Sequence, residues 1–323
     1  IARPSRLARL AGIEPPPLLG RVQPVRLTGT VRGAADGIVV ELDAAAPGLT
    51  VDIDSRLPAD LGSPPRLERM VVRAPSLAEL ARLIGLPVPA GPALAGAAEI
   101  QLGLRPAQGG ATDLDVRADL GRSRATATIR HDSSGPRQRF AGRVDVAELD
   151  PALVRLGWDL GEVALGFPPG PPSRWPGAWP RETQSWAWLY AADLDVAVDG
   201  LARGHVGLAA GNLEIGIETV PLAGGNLSGR VGLDGTGDIP QFSASLALAS
   251  VDAAQAIGLA GLGQDLRGRM DLQITASSAG ASPAAIVAAL GGAARLRLAD
   301  GAIDGVSLEP ADITLGPRSL PVS

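Results

Sequence analysis

Residues Gly268 to Leu308 read GRMDLQITASSAGASPAAIVAALGGAARLRLADGAIDGVSL. The stretch opens on an alternating run, Met270-Asp-Leu-Gln-Ile-Thr-Ala276, whose apolar residues fall on every second position and so on one face of a strand. Ser282 stands where a helix N-cap belongs, and Pro283 where the first helical residue belongs. Ile286 and Leu290, four apart, share one face of that helix. Gly291-Gly292 reads as its stop, because glycine accepts the left-handed backbone common at helix ends. A second alternating run, Arg295-Leu-Arg-Leu298, leads into Asp300-Gly301, the strongest short hairpin signal, and then a return strand.

Outward from there, nearly everything alternates. Val25, Leu27 and Val31; Leu49, Val51 and Ile53; Ile100, Leu102 and Leu104; and Leu114, Val116 and Leu120 each occupy one face of a strand. Phe140, Val144 and Val146; Leu194, Val196 and Val198; Leu213, Ile215 and Ile217; and Phe242, Leu246 and Leu248 do the same. The intervening positions carry Asp, Arg, Ser, Thr or Gln, which predicts antiparallel meanders with one apolar and one wet face. Short helices interrupt them. Ser76 with Glu79 forms a capping box, closed by Gly85 and Pro87 behind Leu80 and Leu83. Asp150-Pro151 starts another helix, with Leu153, Val154 and Leu156 apolar, and Asp252 with Gln255 caps a third.

An internal repeat follows from these helices. Ala8-Arg-Leu-Ala-Gly-Ile13 matches Ala81-Arg-Leu-Ile-Gly-Leu86 at an offset of 73 residues, and Arg155-Leu156-Gly157 continues the series. The rhythm breaks between Phe167 and Tyr190, which hold Trp175, Trp179, Trp186, Trp188 and a Pro-Pro-Gly-Pro-Pro run. So much proline excludes a central strand. The expected organisation is therefore a β-repeat region over 1–166 with a period of about 73 residues, a Pro/Trp-rich loop or linker over 167–190, and a second β region over 191–323. The aromatics of the loop plug one end of the fold or, alternatively, form a membrane-interface or partner-binding tip; Trp175, Trp179, Trp186, Trp188 and Tyr190 are its interface candidates.

Composition narrows the function. Hydrophobic residues make up 46% of the chain and aromatics only 3%, so a core could form but rings would fill little of it. All 29 basic residues are arginine, they are scattered, and the net charge is -5, which argues against nucleic acid as a partner. Without cysteine there is no disulfide, thiolate chemistry or Cys-ligated metal. No run of eighteen apolar residues offers a membrane-spanning helix, and a chain that starts on Ile1 reads as a piece of a longer protein.

Catalytic patterns are weak. His131-Asp132-Ser133-Ser134 holds triad residue types, but neighbours in a turn cannot form a relay. Gly232-Leu-Asp-Gly-Thr-Gly-Asp238 lacks the frame of a calcium loop and reads as a turn. Gly258, Gly261 and Gly263 follow a helix where a dinucleotide fingerprint follows a strand. Asp193, Asp195 and Asp199 alternate and are expected on the wet face of a strand. No metal, cofactor or catalytic residue is assigned, and the chain is expected not to be an enzyme; among 34 acidic residues, no carboxylate pair stands out for glycoside chemistry.

A resemblance can now be stated. Gly280, Ser282, Leu290, Gly291, Asp300, Gly301, Ile303, Gly305 and Leu308, preceded by Asp193-Leu-Asp-Val, Leu222-Ala-Gly-Gly-Asn-Leu-Ser-Gly-Arg and Ile239-Pro-Gln-Phe, resemble the C-terminal signature of the AsmA family. The resemblance implies a periplasmic protein of the bacterial envelope, tethered to the inner membrane by a segment outside this chain. It also implies likeness to bridge-like lipid carriers, whose repeated β units form a hydrophobic groove, and a part in outer-membrane assembly or lipid homeostasis.

The physics of the pattern points the same way. A one-sided apolar sheet must close, stack, be covered or hold an apolar ligand, and these helices are too few and short to cover it. A sixteen-carbon chain half sheltered from water gains on the order of 6 kcal/mol at roughly 0.8 kcal/mol per methylene. The expected fold is thus mostly β: elongated antiparallel meanders forming a curved sheet with an apolar groove. Its expected ligand is a phospholipid or other acyl-chain lipid. Candidates for the groove wall are Leu194, Val196, Val198, Leu213, Ile215, Ile217, Leu246, Leu248, Leu272 and Ile274. The alternatives are a closed sandwich or barrel with a dry core, and a structural or adhesive envelope module that binds protein partners.

Overall fold

The structure is a computed structural model that describes residues 26–35, 37–59, 66–83, 96–150, 153–154, 179–259, 266–303, 306–307 and 311–315. The chain divides into two compact units, Ile1–Ser134 with Val146–Leu153 and Gly135–Asp145 with Val154–Ser323. The described residues are mostly β, the strand pairs are antiparallel, and the helices are few and short.

In the first unit, β1 (Arg26–Ala34), β2 (Gly37–Ala46), β3 (Leu49–Pro58), β4 (Arg66–Ala74), β5 (Ala98–Pro106), β6 (Thr112–Leu120) and β7 (Ser123–Asp132) pair each with the next. Directly opposed residues share a face. Leu27, Ala44, Val51, Val72, Ile100, Ala118 and Ala125 therefore form one apolar row across the strands. A helix of about two turns, α1 (Leu77–Leu83), follows β4 and buries Leu77 and Leu80 against Ala74 and Ala98. The Ser76 hydroxyl accepts from the Glu79 amide at 3.1 Å, which makes the expected N-cap, and the Glu79 carboxylate lies against Gly48.

The other face of this unit is zipped by arginine–carboxylate pairs between strands. Arg32 binds Glu41, Arg56 binds Glu68, Arg105 binds Asp115, and Arg130 binds Asp113. Arg73 reaches both Asp52 and Glu99. Arg124 spans Asp119 at 2.8 Å and Glu148 at 3.4 Å. These hydrogen bonds set the charges. Asp119 is held below the usual carboxylate range by Arg124 and then Arg117, Asp113 by Arg130, and Glu99 by Gln101 and then Arg73. Each exposed pair is individually weak, but opposite charges across a ladder favour this register over a slipped one.

The second unit repeats the plan. β9 (Ala192–Gly200), β10 (Arg203–Ala209), β11 (Asn212–Leu222), β12 (Gly225–Asp234), β13 (Gln241–Asp252), β14 (Leu266–Ala279) and β15 (Gly291–Ile303) pair in sequence, and β15 also pairs with β16 (Val306–Ser307) and β17 (Ala311–Leu315). Among the described residues no ladder joins β9 to β17, or β1 to β7, so neither meander closes into a barrel. The helix α2 (Ala253–Leu259) is capped by the Asp252 carboxylate, which accepts from the Gln255 amide at 2.8 Å. The helix α3 (Pro283–Ala288) is capped by Ser282, which accepts from the Ala285 amide, with Pro283 in its first turn and Ile286 buried. The strand β8 (Gln138–Glu148), also part of the sheet, carries the Phe140, Val144 and Val146 run.

Two readings of the decisive stretch need correction. Asp300-Gly301 does not turn a hairpin; β15 runs through it to Ile303. The ladder shifts register there, with Arg267 opposite Ala302 and Arg269 opposite Ala299, and Asp300 takes a φ of 52°. The pair is a β-bulge, because a left-handed residue serves a bulge as readily as a tight turn. The return lies further on, where Ile303 pairs with Val306. Likewise Gly291-Gly292 starts β15, since α3 ends at Ala288 with Ala289 as its C-cap. Gly292 is there for space: a Cβ on it would collide with the Thr275 carbonyl oxygen and meet the Ala276 Cα at 3.0 Å.

Replacing Gly292 by Ala is expected to cost about 2–3 kcal/mol, whereas Gly291→Ala, with nothing within 4 Å, is expected to stay within about 0.5 kcal/mol. Thermal unfolding of the two variants checks this, and equal melting temperatures would contradict it. The depressed carboxylates give a second expectation. Their folded pKa values lie below the unfolded ones, so their stabilisation is complete above about pH 5 and is lost as pH falls through the depressed values. A D113N/D119N variant is expected to show a flatter fall of melting temperature on acidification than the parent chain.

Candidate functional site

The registers of the second unit place all ten groove candidates on one face. Leu208 of β10 lies opposite Leu194 and Leu213, Val206 opposite Val196 and Ile215, and Gly204 opposite Val198 and Ile217. The rows continue across β12 to β15. Ile215 opposes Val231, which opposes Ala244, and Ala276 follows. Ile217 opposes Gly229, then come Leu246, Ile274 and Ala294. Leu227, Leu248, Leu272 and Leu296 form the next row. Register shifts between Ile217 and Val220, and between Leu248 and Val251, bring Val220 and Val251 back to this face.

Each edge of that face, at the strand ends, is covered. At one edge the 3-10 turn Ala187–Tyr190 inserts Leu189, fully buried, against Leu208 and Leu233, with Trp186, Leu194, Leu213 and Phe242 packed around. Trp186 meets Phe242 edge-on, ring centroids 5.6 Å apart. Glycine makes room: a Cβ on Gly235 would strike Leu189, and one on Gly211, whose φ is 91°, would strike the Tyr190 ring. The Tyr190 hydroxyl donates to the Gly235 carbonyl at 2.5 Å. The Gln184 amide donates to Ala281 and the Ala284 amide to Pro180, so the segment is tied to the start of α3. At the other edge α2 lays Ala253, Ala256 and Leu259 on Val251, Met270, Leu296 and Leu298.

Between these two walls lies a floor. Of the ten candidates, Leu194 and Leu213 belong to the Leu189 cluster and Leu248 to the α2 cluster. Val196, Val198, Ile215, Ile217, Leu246, Leu272 and Ile274 lie on the strip between, where all but Val196 are only half-buried. Val206, Val231 and Leu227 share that strip, on strands whose glycines blur the alternation. Seven strands about 4.8 Å apart carry it over roughly 29 Å, with its long axis across the strands. The floor has no polar side chain of its own, so its chemistry is that of saturated hydrocarbon contact, without direction along its length.

The reverse face is polar. Asp193 meets Arg137 at 3.3 Å, Asp199 meets Arg143 at 3.0 Å, and Asp195 meets His205 at 2.9 Å, so the alternating aspartates are the wet face of β9. Arg230 pairs with Glu214. Turns account for the other motifs. Asp132 accepts from the amide and hydroxyl of Ser134, and Asp234 from those of Thr236, which holds Asp234 below the usual carboxylate range. Among the described residues no group of three or more His, Asp or Glu side chains could hold a metal ion.

Several sequence expectations fall elsewhere. Trp175, the helices expected near Ala8 and Arg155, and Gly305 and Leu308 lie outside the described residues. Trp179 and Trp186 are partly buried, whereas Trp188 and Tyr190 are exposed. No helix among the described residues is long and apolar enough to cross a membrane.

No curated protein and no solved structure matches the chain. Residues 202–311, from the β9–β10 turn to the start of β17, match the model of the AsmA family. This stretch holds the larger part of the apolar floor, all of α2 and α3, and the bulge at Asp300. The match over residues 202–311 supports membership of the AsmA family, whose proteins are associated with the bacterial envelope.

Proposed function

We propose that the second unit handles lipid without catalysing a reaction, holding phospholipid acyl chains on the floor between the Leu189 wall and α2. The observation that carries this reading is the half-buried apolar strip, bordered on both sides and covered along its middle by no described element. Such a strip gains roughly 25 cal/mol for each Å² taken from water, and an acyl chain supplies that cover without a fitted pocket. Because no polar contact fixes the chain, it slides along the floor, as conduction between membranes requires. The family match supports a periplasmic setting, with an inner-membrane tether outside this chain and a role in outer-membrane lipid homeostasis.

A second reading, a structural or adhesive module that docks protein partners, is favoured by β1. All nine of its residues are exposed, Leu27 and Val31 among them, so its outer edge offers a strand template.

A fluorescent acyl probe separates the two. The parent chain is expected to bind it, and Ile215→Asp or Leu272→Asp to weaken binding at least about tenfold, because each buries a charge under the acyl chain. Ser245→Asp, on the polar face, is expected to bind as the parent does. Equal binding by all of these well-folded variants would overturn the assignment.

A further inference from the structure

The wall at the Leu189 edge is built from more aromatic surface than the packing uses. Leu189 and Trp186 fill the interior there. Trp188 and Tyr190, on the same 3-10 turn, remain 38% and 41% exposed. In the β12–β13 loop, whose Gly235 carbonyl accepts from Tyr190, Ile239 is 57% exposed. The three are mounted rigidly. Leu189 anchors the turn, Tyr190 is bonded to Gly235, and the Gly280 amide donates to the Pro240 carbonyl, fixing the far end of the Ile239 loop.

The charges nearby are balanced. Arg137 lies 5.9 Å from the centre of the Tyr190 ring and pairs with Asp193, and exposed Arg181 is followed by exposed Glu182. Asp238 is also exposed in the β12–β13 loop. The rim thus presents apolar bodies among mixed charges, with two amphipathic rings at its crest. Trp and Tyr with this partial exposure suit the boundary between lipid headgroups and water, and an exposed isoleucine adds apolar area to bury.

We propose that this rim seats on a phospholipid surface, inserting Trp188 and Ile239 at headgroup depth with Tyr190 bracing the turn. The contact is driven by apolar burial, so it does not depend on anionic lipid, as mixed local charge requires. This goes beyond holding acyl chains on the floor and can fail separately from it. Docking on a membrane brings the neighbouring wall of the floor to the source or sink of the lipid.

The test is co-sedimentation of the full chain with vesicles of phosphatidylcholine alone, and with added phosphatidylglycerol at low and high salt. The parent is expected to bind the neutral vesicles, with less than about a threefold gain from anionic lipid. A W188S/I239S variant is expected to lose at least about tenfold in partitioning with its melting temperature unchanged, since both side chains are exposed. Leu201→Ser, exposed in the β9–β10 turn at the opposite strand ends, and Ile215→Asp, on the floor, are expected to bind vesicles as the parent does. Absent binding to neutral vesicles would overturn the proposal, as would unchanged binding by W188S/I239S. Binding that needs anionic lipid and vanishes in salt would overturn it too. Loss of acyl-probe binding by Ile215→Asp with vesicle binding kept marks the floor and the rim as separate.

Discussion

Side chains alternate across a strand, and in this chain the alternation separates apolar from charged residues almost everywhere. Once strands pair in register, all the apolar residues of a meander fall on the same side, and water against that side costs free energy in proportion to its area. The rest of the structure follows from how that area is covered. Short helices placed where the chain leaves a strand, and one 3-10 turn placed where it enters β9, close over the edges of the apolar face. They are two turns long at most, so they reach one or two rows and stop.

What they leave uncovered is the strip through Val198, Ile215, Leu246 and Ile274. A protein that needed only a dry core would gain from larger side chains or a second layer at this place. Here one row instead shrinks toward β15, from Val206 and Ile215 to Ala244 and Ala276, while the next keeps Leu246 and Ile274. Register is guarded on the opposite face by cross-strand charge pairs, whose strength is small but whose mismatch penalty opposes slippage by one residue, the slip that would turn the apolar set outward.

The strands were legible because alternation is a local property, and every described apolar triplet read from the sequence lies in a strand of the structure. The caps of Ser76, Asp252 and Ser282 were legible for the same reason, since a cap is decided within three residues. Dipeptides with two uses misled. Asp300-Gly301 supplies a left-handed residue, and whether that makes a turn or a bulge depends on Gly268 across the ladder. Gly291-Gly292 reads as a helix stop until Thr275 is seen pressing on Gly292. β10 and β12 were hidden because glycine at Gly204, Gly207, Gly229 and Gly232 removes the contrast that alternation needs. The walls are non-local altogether: nothing around Leu189 announces that it will rest on Gly235.

An apolar floor with walls only at its borders, on a chain whose residues 202–311 match the AsmA family, makes lipid the natural cover. The most direct measurement is a native mass spectrum, with lipid extraction, of the chain purified without detergent from a bacterial envelope. The account predicts phospholipid bound well above trace stoichiometry. A lipid-free spectrum from well-folded protein would contradict it.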